Sequence, residues 1–131
     1  MSVLGELQPN KVFQYFEEIC AIPHGSRNLQ QISDYLVDFA KAHGLKYRQD
    51  EDLNVIIWKD GSKGYEDSDP VILQGHMDMV CAKCPEIEHD FTKDGLKLVV
   101  KDGFLSAEGT TLGGDDGIAV ASGLALLDST D

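Results

Sequence analysis

Basic residues are scarce in this chain: 11 Lys and Arg stand against 23 Asp and Glu in 131 residues, for a formal net charge of −12. That shortage argues against a nucleic-acid partner, because phosphate-backbone binding relies on clustered cations. Cysteine is also sparse, and the 3 present, Cys20, Cys81 and Cys84, are too few and too odd in number for a disulfide framework. A chain of this length buries enough core to fold without one. No apolar run approaches the roughly 20 residues of a membrane span, so no membrane partner is expected. The opening residues lack a charged leader, an apolar block and a small-residue cleavage site. A cytoplasmic location with reduced thiols is the expectation.

What is present is ordinary globular patterning, with internal repeats, low-complexity tracts and linkers absent. Val12, Phe16, Ile19 and Cys20 recur at helical spacing after Pro9 and Asn10, and this helix should stop near Ile22-Pro23. Leu29, Ile32, Leu36, Phe39 and Ala40 repeat the pattern, with Gly44 placed just past the helix end. Leu45 to Gln49 and Leu53 to Trp58 read as short strands around the acidic turn Asp50-Glu51-Asp52, followed by a polar loop over Asp60 to Asp69. Val71-Ile72-Leu73 reads as a strand covered on both faces. Asp102-Gly103 is a two-residue hairpin signal between Leu96–Lys101 and Phe104–Ser106. Gly117 to Leu127 is almost wholly apolar and predicts a buried helix, with Asp115 and Asp116 at its positive end. This mixture predicts an α/β fold.

Three places could carry chemistry. His76-Met77-Asp78 follows the apolar run, where functional side chains gather at strand ends. Residues two apart on an extended chain share a face, so Asp78 can fix one imidazole nitrogen of His76 and leave the other for a metal. The plainer reading is a hydrogen-bonded histidine beside an exposed acid. Thr110-Thr111-Leu112-Gly113-Gly114-Asp115-Asp116-Gly117 brings two acids onto a helix through a glycine-rich loop. A carboxylate there can bridge two cations about 4 Å apart, or both acids can simply cap the helix. Cys81-Ala82-Lys83-Cys84 is half of a zinc knuckle or a redox pair, but no second pair follows it and Pro85 comes at once. His24, His43 and His89 have unrelated surroundings, and a solvated or locally bonded ring is expected for each.

Taken together, Val71-Ile72-Leu73-Gln74-Gly75-His76-Met77-Asp78-Met79-Val80 and Thr111-Leu112-Gly113-Gly114-Asp115-Asp116-Gly117-Ile118 resemble the bacterial aminoacyl-histidine dipeptidases. These Xaa-His or β-alanyl-histidine dipeptidases belong to the wider di-zinc exopeptidases. The resemblance implies that residues 1–131 are the N-terminal portion of a three-layer α/β/α catalytic domain, a mixed sheet with flanking helices. The remainder of that domain and a lid or dimerisation domain would lie outside it. By the resemblance, His76 matches a zinc ligand, Asp78 the catalytic acid that orients this imidazole, and Asp115 the aspartate that bridges two Zn2+ ions. Co2+ or Mn2+ are alternative metals. Asp116 matches a position that is not a ligand.

The implied reaction is hydrolysis of a dipeptide by metal-activated water. By the resemblance, two adjacent glutamates, one the general base and one a zinc ligand, follow the bridging aspartate by some thirty residues, and a further acid and a late histidine complete the site, whereas only 16 residues follow Asp115 here. The isolated chain is therefore expected to be inactive. A related di-zinc deacylase or aminopeptidase is the alternative within the enzyme class. A non-catalytic folded interaction module is the alternative outside it, and an incomplete sheet edge would then favour a homo-oligomer.

Overall fold

The computed structural model describes residues 2–130. Helix α1 spans Asn10–Cys20 and α2 spans Gln30–Ala42. Strand β1, Lys46–Gln49, pairs antiparallel with β2, Val55–Trp58, and β3, Leu98–Lys101, pairs antiparallel with β4, Phe104–Ala107. Helix α3 closes the order at Gly114–Leu127.

The local signals act as their chemistry requires. At the end of α2, Leu45 N–H donates to Ala40 O at 2.9 Å and Gly44 N–H to Lys41 O at 3.1 Å, the paired bonds of a Schellman ending. Gly44 takes φ +65°, the left-handed turn such an ending needs. In the acidic turn, the Asp50 carboxylate accepts bonds from the backbone N–H groups of Asp52 and Asn54 and from the Asn54 amide. Asp102 and Gly103 both have positive φ, at 53° and 81°, which gives the β3–β4 hairpin the primed turn that matches strand twist.

The core lies among the helices. Phe16, Ile19 and Cys20 of α1, Ile32, Leu36 and Phe39 of α2, and Ala121 and Leu124 of α3 form one buried cluster with Leu4 and Tyr15. Helices α1 and α3 approach closely at Gly117, where an added Cβ would lie 3.2 Å from the Phe16 ring. Asp128 fastens the far end of α3, accepting from the Tyr15 hydroxyl at 2.7 Å and pairing with Lys11 at 2.8 Å and His43 at 3.1 Å.

Two expectations need correction. Val71-Ile72-Leu73 is not a covered strand: these residues are 83%, 89% and 62% exposed and join no ladder. The run is apolar enough for a sheet interior, yet the described residues offer it neither a neighbouring strand nor a covering helix. Helix α3 is also only partly buried, because an all-round apolar helix here packs against α1 on one side. Gly117, Ala121 and Leu124 are covered, while Ile118 and Leu126 face outward. The α/β class holds, with its strands arranged as two separate two-stranded sheets among the described residues.

Candidate metal centre

The loop between α1 and α2 seats the segment that carries His76. Met79 N–H donates to His24 O at 3.0 Å, and Ser26 N–H donates to Met79 O at 3.1 Å, so Gly25 and Met79 form a parallel bridge. Gly25 has no space for a side chain, since a Cβ would fall 2.5 Å from Cys81 Sγ. From the other side, Asp116 Oδ2 accepts the His76 backbone N–H at 3.3 Å, and Gly75 is tight against that same oxygen.

The second half of the site comes from the glycine-rich loop. Gly113 adopts φ +72° directly against Met79 and His24, and a side chain there would meet Met79 Cβ at 3.0 Å. Asp115 and Asp116 are not yet helical, with φ/ψ of −91°/104° and −119°/27°, and the peptide bond between them is cis. The helix ladder takes hold at Gly117, whose N–H donates to Gly113 O at 3.0 Å. Neither acid caps α3 with a side-chain bond. Asp116 instead holds the His76 backbone, and the Asp115 side chain, 95% exposed, projects beside the His76 ring.

These two halves bring the sequence-derived residues together. His76 Nδ1 lies 3.0 Å from Asp78 Oδ1, and Nε2 lies 3.1 Å from Asp115 Oδ1. Asp115 first, and Asp78 after it, raise the His76 pKa above its ordinary 6.5 by accepting bonds from the ring. Asp78 is held below the usual carboxylate range, chiefly by the Ser26 hydroxyl, which donates to Oδ2 at 2.5 Å, and then by His76. A neutral ring that donates through Nδ1 to Asp78 has a lone pair on Nε2 aimed at a carboxylate oxygen. That contact is favourable only if the ring is an imidazolium or if a cation lies between the two atoms.

The donor set fits a divalent ion in part. Two donors about 2.0–2.1 Å from a tetrahedral zinc sit about 3.3 Å apart, close to the Nε2 to Oδ1 separation. Imidazole nitrogen with carboxylate oxygen suits zinc and similar first-row ions. Asp78 faces Nδ1, the ring nitrogen turned away from Asp115. Among the described residues no group of three or more His, Cys, Asp or Glu side chains converges on one point, so His76 and Asp115 offer two donors and no third.

The other candidates lie outside the His76–Asp115 pair, with His24 in the loop that seats it and Cys81 against that loop. Cys81 and Cys84 are exposed free thiols. His24 is buried rather than solvated, bonded to Ile22 O at 2.6 Å through Nδ1, and burial lowers its pKa. His43 is occupied by Phe39 O and Asp128, and His89 packs edge-on against Phe91. Ser26 was missed in the sequence, where nothing near Gly25-Ser26-Arg27 marks a serine 52 residues before Asp78 as its partner.

The fold is similar to that of solved peptidases. It superposes on the crystal structure of aminoacylhistidine dipeptidase from Vibrio alginolyticus with a TM-score of 0.95 and 39% identity, over 99% of this chain and 26% of that one. In sequence it is 42% identical over 127 residues to the cytosol non-specific dipeptidase of Escherichia coli, covering 97% of this chain and 26% of that protein. A tripeptidase from Staphylococcus aureus shares the fold at a TM-score of 0.66 and 24% identity, over 94% of this chain and 32% of that one. No family model matches. The chain thus spans about a quarter of the length of the dipeptidases it matches, and the resemblance read from its two motifs extends along nearly all of its residues.

Proposed function

We propose that this chain is the metal-binding N-terminal portion, residues 1–131, of a zinc-dependent cytoplasmic dipeptidase, a hydrolase acting on Xaa-His dipeptides of the β-alanyl-histidine type. The observation that carries the proposal is the approach of His76 Nε2 to Asp115 Oδ1 at 3.1 Å, with Nδ1 of the same ring held by Asp78. The Vibrio and Escherichia relatives, both dipeptidases and one cytosolic, support the reaction class and the location.

In this reading His76 and Asp115 are metal ligands, and Asp78 keeps the imidazole in the tautomer that presents Nε2. Asp115 has its second carboxylate oxygen available to bridge to a neighbouring ion. Asp116 fixes the His76 backbone. Bound zinc would lower the pKa of a coordinated water and polarise the scissile carbonyl. The general base and further ligands are assigned to no residue of this chain, which by itself should hold a cation weakly and leave peptides uncut. The name of the Escherichia relative, a non-specific dipeptidase, favours a second reading with the same chemistry and a broader range of dipeptides. The exposed run Val71-Ile72-Leu73 should drive homo-oligomer formation of the isolated chain.

A chimera tests the function. Residues 1–131 replace the matching quarter of the Escherichia dipeptidase, and the purified product is assayed on β-alanyl-histidine and on dipeptides lacking histidine. Retained hydrolysis that is lost in His76→Ala and in Asp115→Ala is the expected result. A folded, active chimera indifferent to both substitutions would refute it.

A further inference from the structure

We infer that Ser26 is a positioning residue for the His76 site, acting through Asp78. This rests on the reading of His76 as a metal ligand and adds a residue to it. Asp78 offers its two carboxylate oxygens in different directions: Oδ1 faces His76 Nδ1 at 3.0 Å, and Oδ2 receives the Ser26 hydroxyl at 2.5 Å. A carboxylate held at one oxygen can swing about its last side-chain bond, whereas one held at both has a fixed plane. The imidazole that leans on it then has a fixed direction for Nε2.

The hydroxyl has one proton and two acceptors within reach, Asp78 Oδ2 at 2.5 Å and Met79 O at 3.3 Å. The shorter bond, to a charged acceptor, is the stronger. Met79 O is already satisfied by the Ser26 backbone N–H at 3.1 Å. The loop is therefore anchored by its backbone, through the Gly25 bridge to Met79, and the side chain is left for the carboxylate. Ser26 itself is exposed, so neither loss of the hydroxyl nor an added methyl disturbs packed neighbours.

Outer partners of a metal-binding histidine commonly contribute 10–100-fold in affinity. Zinc affinity of the 131-residue chain, measured by competition with a chromophoric chelator, should fall about tenfold in Ser26→Ala and recover in Ser26→Thr. In an Asp78→Ala background the same Ser26→Ala change should have no further effect, since the hydroxyl would act only through that carboxylate. An unchanged affinity in Ser26→Ala, or a loss that persists without Asp78, would overturn the inference. A zinc-free readout separates this from the metal reading: solvent exchange of the His76 Nδ1 proton, followed by nitrogen-15 NMR, should quicken in Ser26→Ala. If the unsubstituted chain binds no zinc but exchange quickens, the metal reading fails and the positioning role stands. If exchange is unchanged, the positioning role fails.

Discussion

His76 and Asp115 stand 39 positions apart in the chain, yet Nε2 of one lies 3.1 Å from Oδ1 of the other. Their meeting depends on two backbone contacts rather than on a shared element. The Gly25 bridge to Met79 fixes the segment after His76, and the Asp116 carboxylate holds the His76 N–H.

If that pair holds a metal as proposed, binding should depend on pH in a definite direction. The His76 pKa is raised by Asp115 and then by Asp78, so the charged ring helps the metal-free fold fully below its ordinary 6.5, and that help is lost as pH rises through the raised value. A metal needs the opposite state, a neutral Nε2. Zinc affinity should therefore climb with pH and level off only above 6.5. Titrations of the chain at a series of pH values check this, and His76→Ala should remove the dependence together with the binding.

Asp128 should contribute to acid stability. Lys11 first, and Tyr15 with it, hold its pKa down at about 2 against an ordinary 3.8. A depressed carboxylate stabilises the fold above its ordinary value, and that contribution disappears as pH falls from about 4 toward 2. Asp128→Asn should be less stable than the unsubstituted chain at neutral pH, with the gap narrowing from about pH 4 and closed near pH 2 in circular-dichroism denaturation.

Gly113, in the acidic loop, and Gly123, inside α3, should respond in opposite directions to alanine substitution. Gly113→Ala places a side chain at φ +72° and 3.0 Å from Met79 Cβ, and should cost about 1–3 kcal/mol while displacing Asp115. Gly123, inside α3, has open space around its Cα, so Gly123→Ala should gain about 0.5–1 kcal/mol. Denaturant unfolding of both variants measures the difference.

Much of this architecture was legible because it is written locally. Gly44, Asp50 to Asp52 and Asp102-Gly103 each carry their turn chemistry in a few adjacent residues, and the helical spacing around Phe16 and Leu36 marks faces that are in fact buried. Val71-Ile72-Leu73 misled for the opposite reason, because apolar composition reports a preference for burial and says nothing of what supplies it. His76, Asp78 and Asp115 could be singled out from their motifs, whereas the bond from Ser26 to Asp78 is a tertiary contact without a sequence pattern.

The thiols should divide by burial. Cys20 is 1% exposed and its thiol is pushed up to about 12, chiefly by burial, whereas Cys81 and Cys84 are exposed. An aromatic disulfide reagent should label Cys84 quickly, Cys81 more slowly because burial and then Asp78 raise its thiol pKa, and Cys20 only on unfolding.

Zinc titration of the metal-free chain by calorimetry decides whether His76 and Asp115 jointly hold a divalent cation. Saturable binding at neutral pH, weakened at least tenfold in His76→Ala and in Asp115→Ala with the fold retained, is the predicted result. Binding of equal strength in all three chains, or no saturable binding in the unsubstituted one, would contradict it.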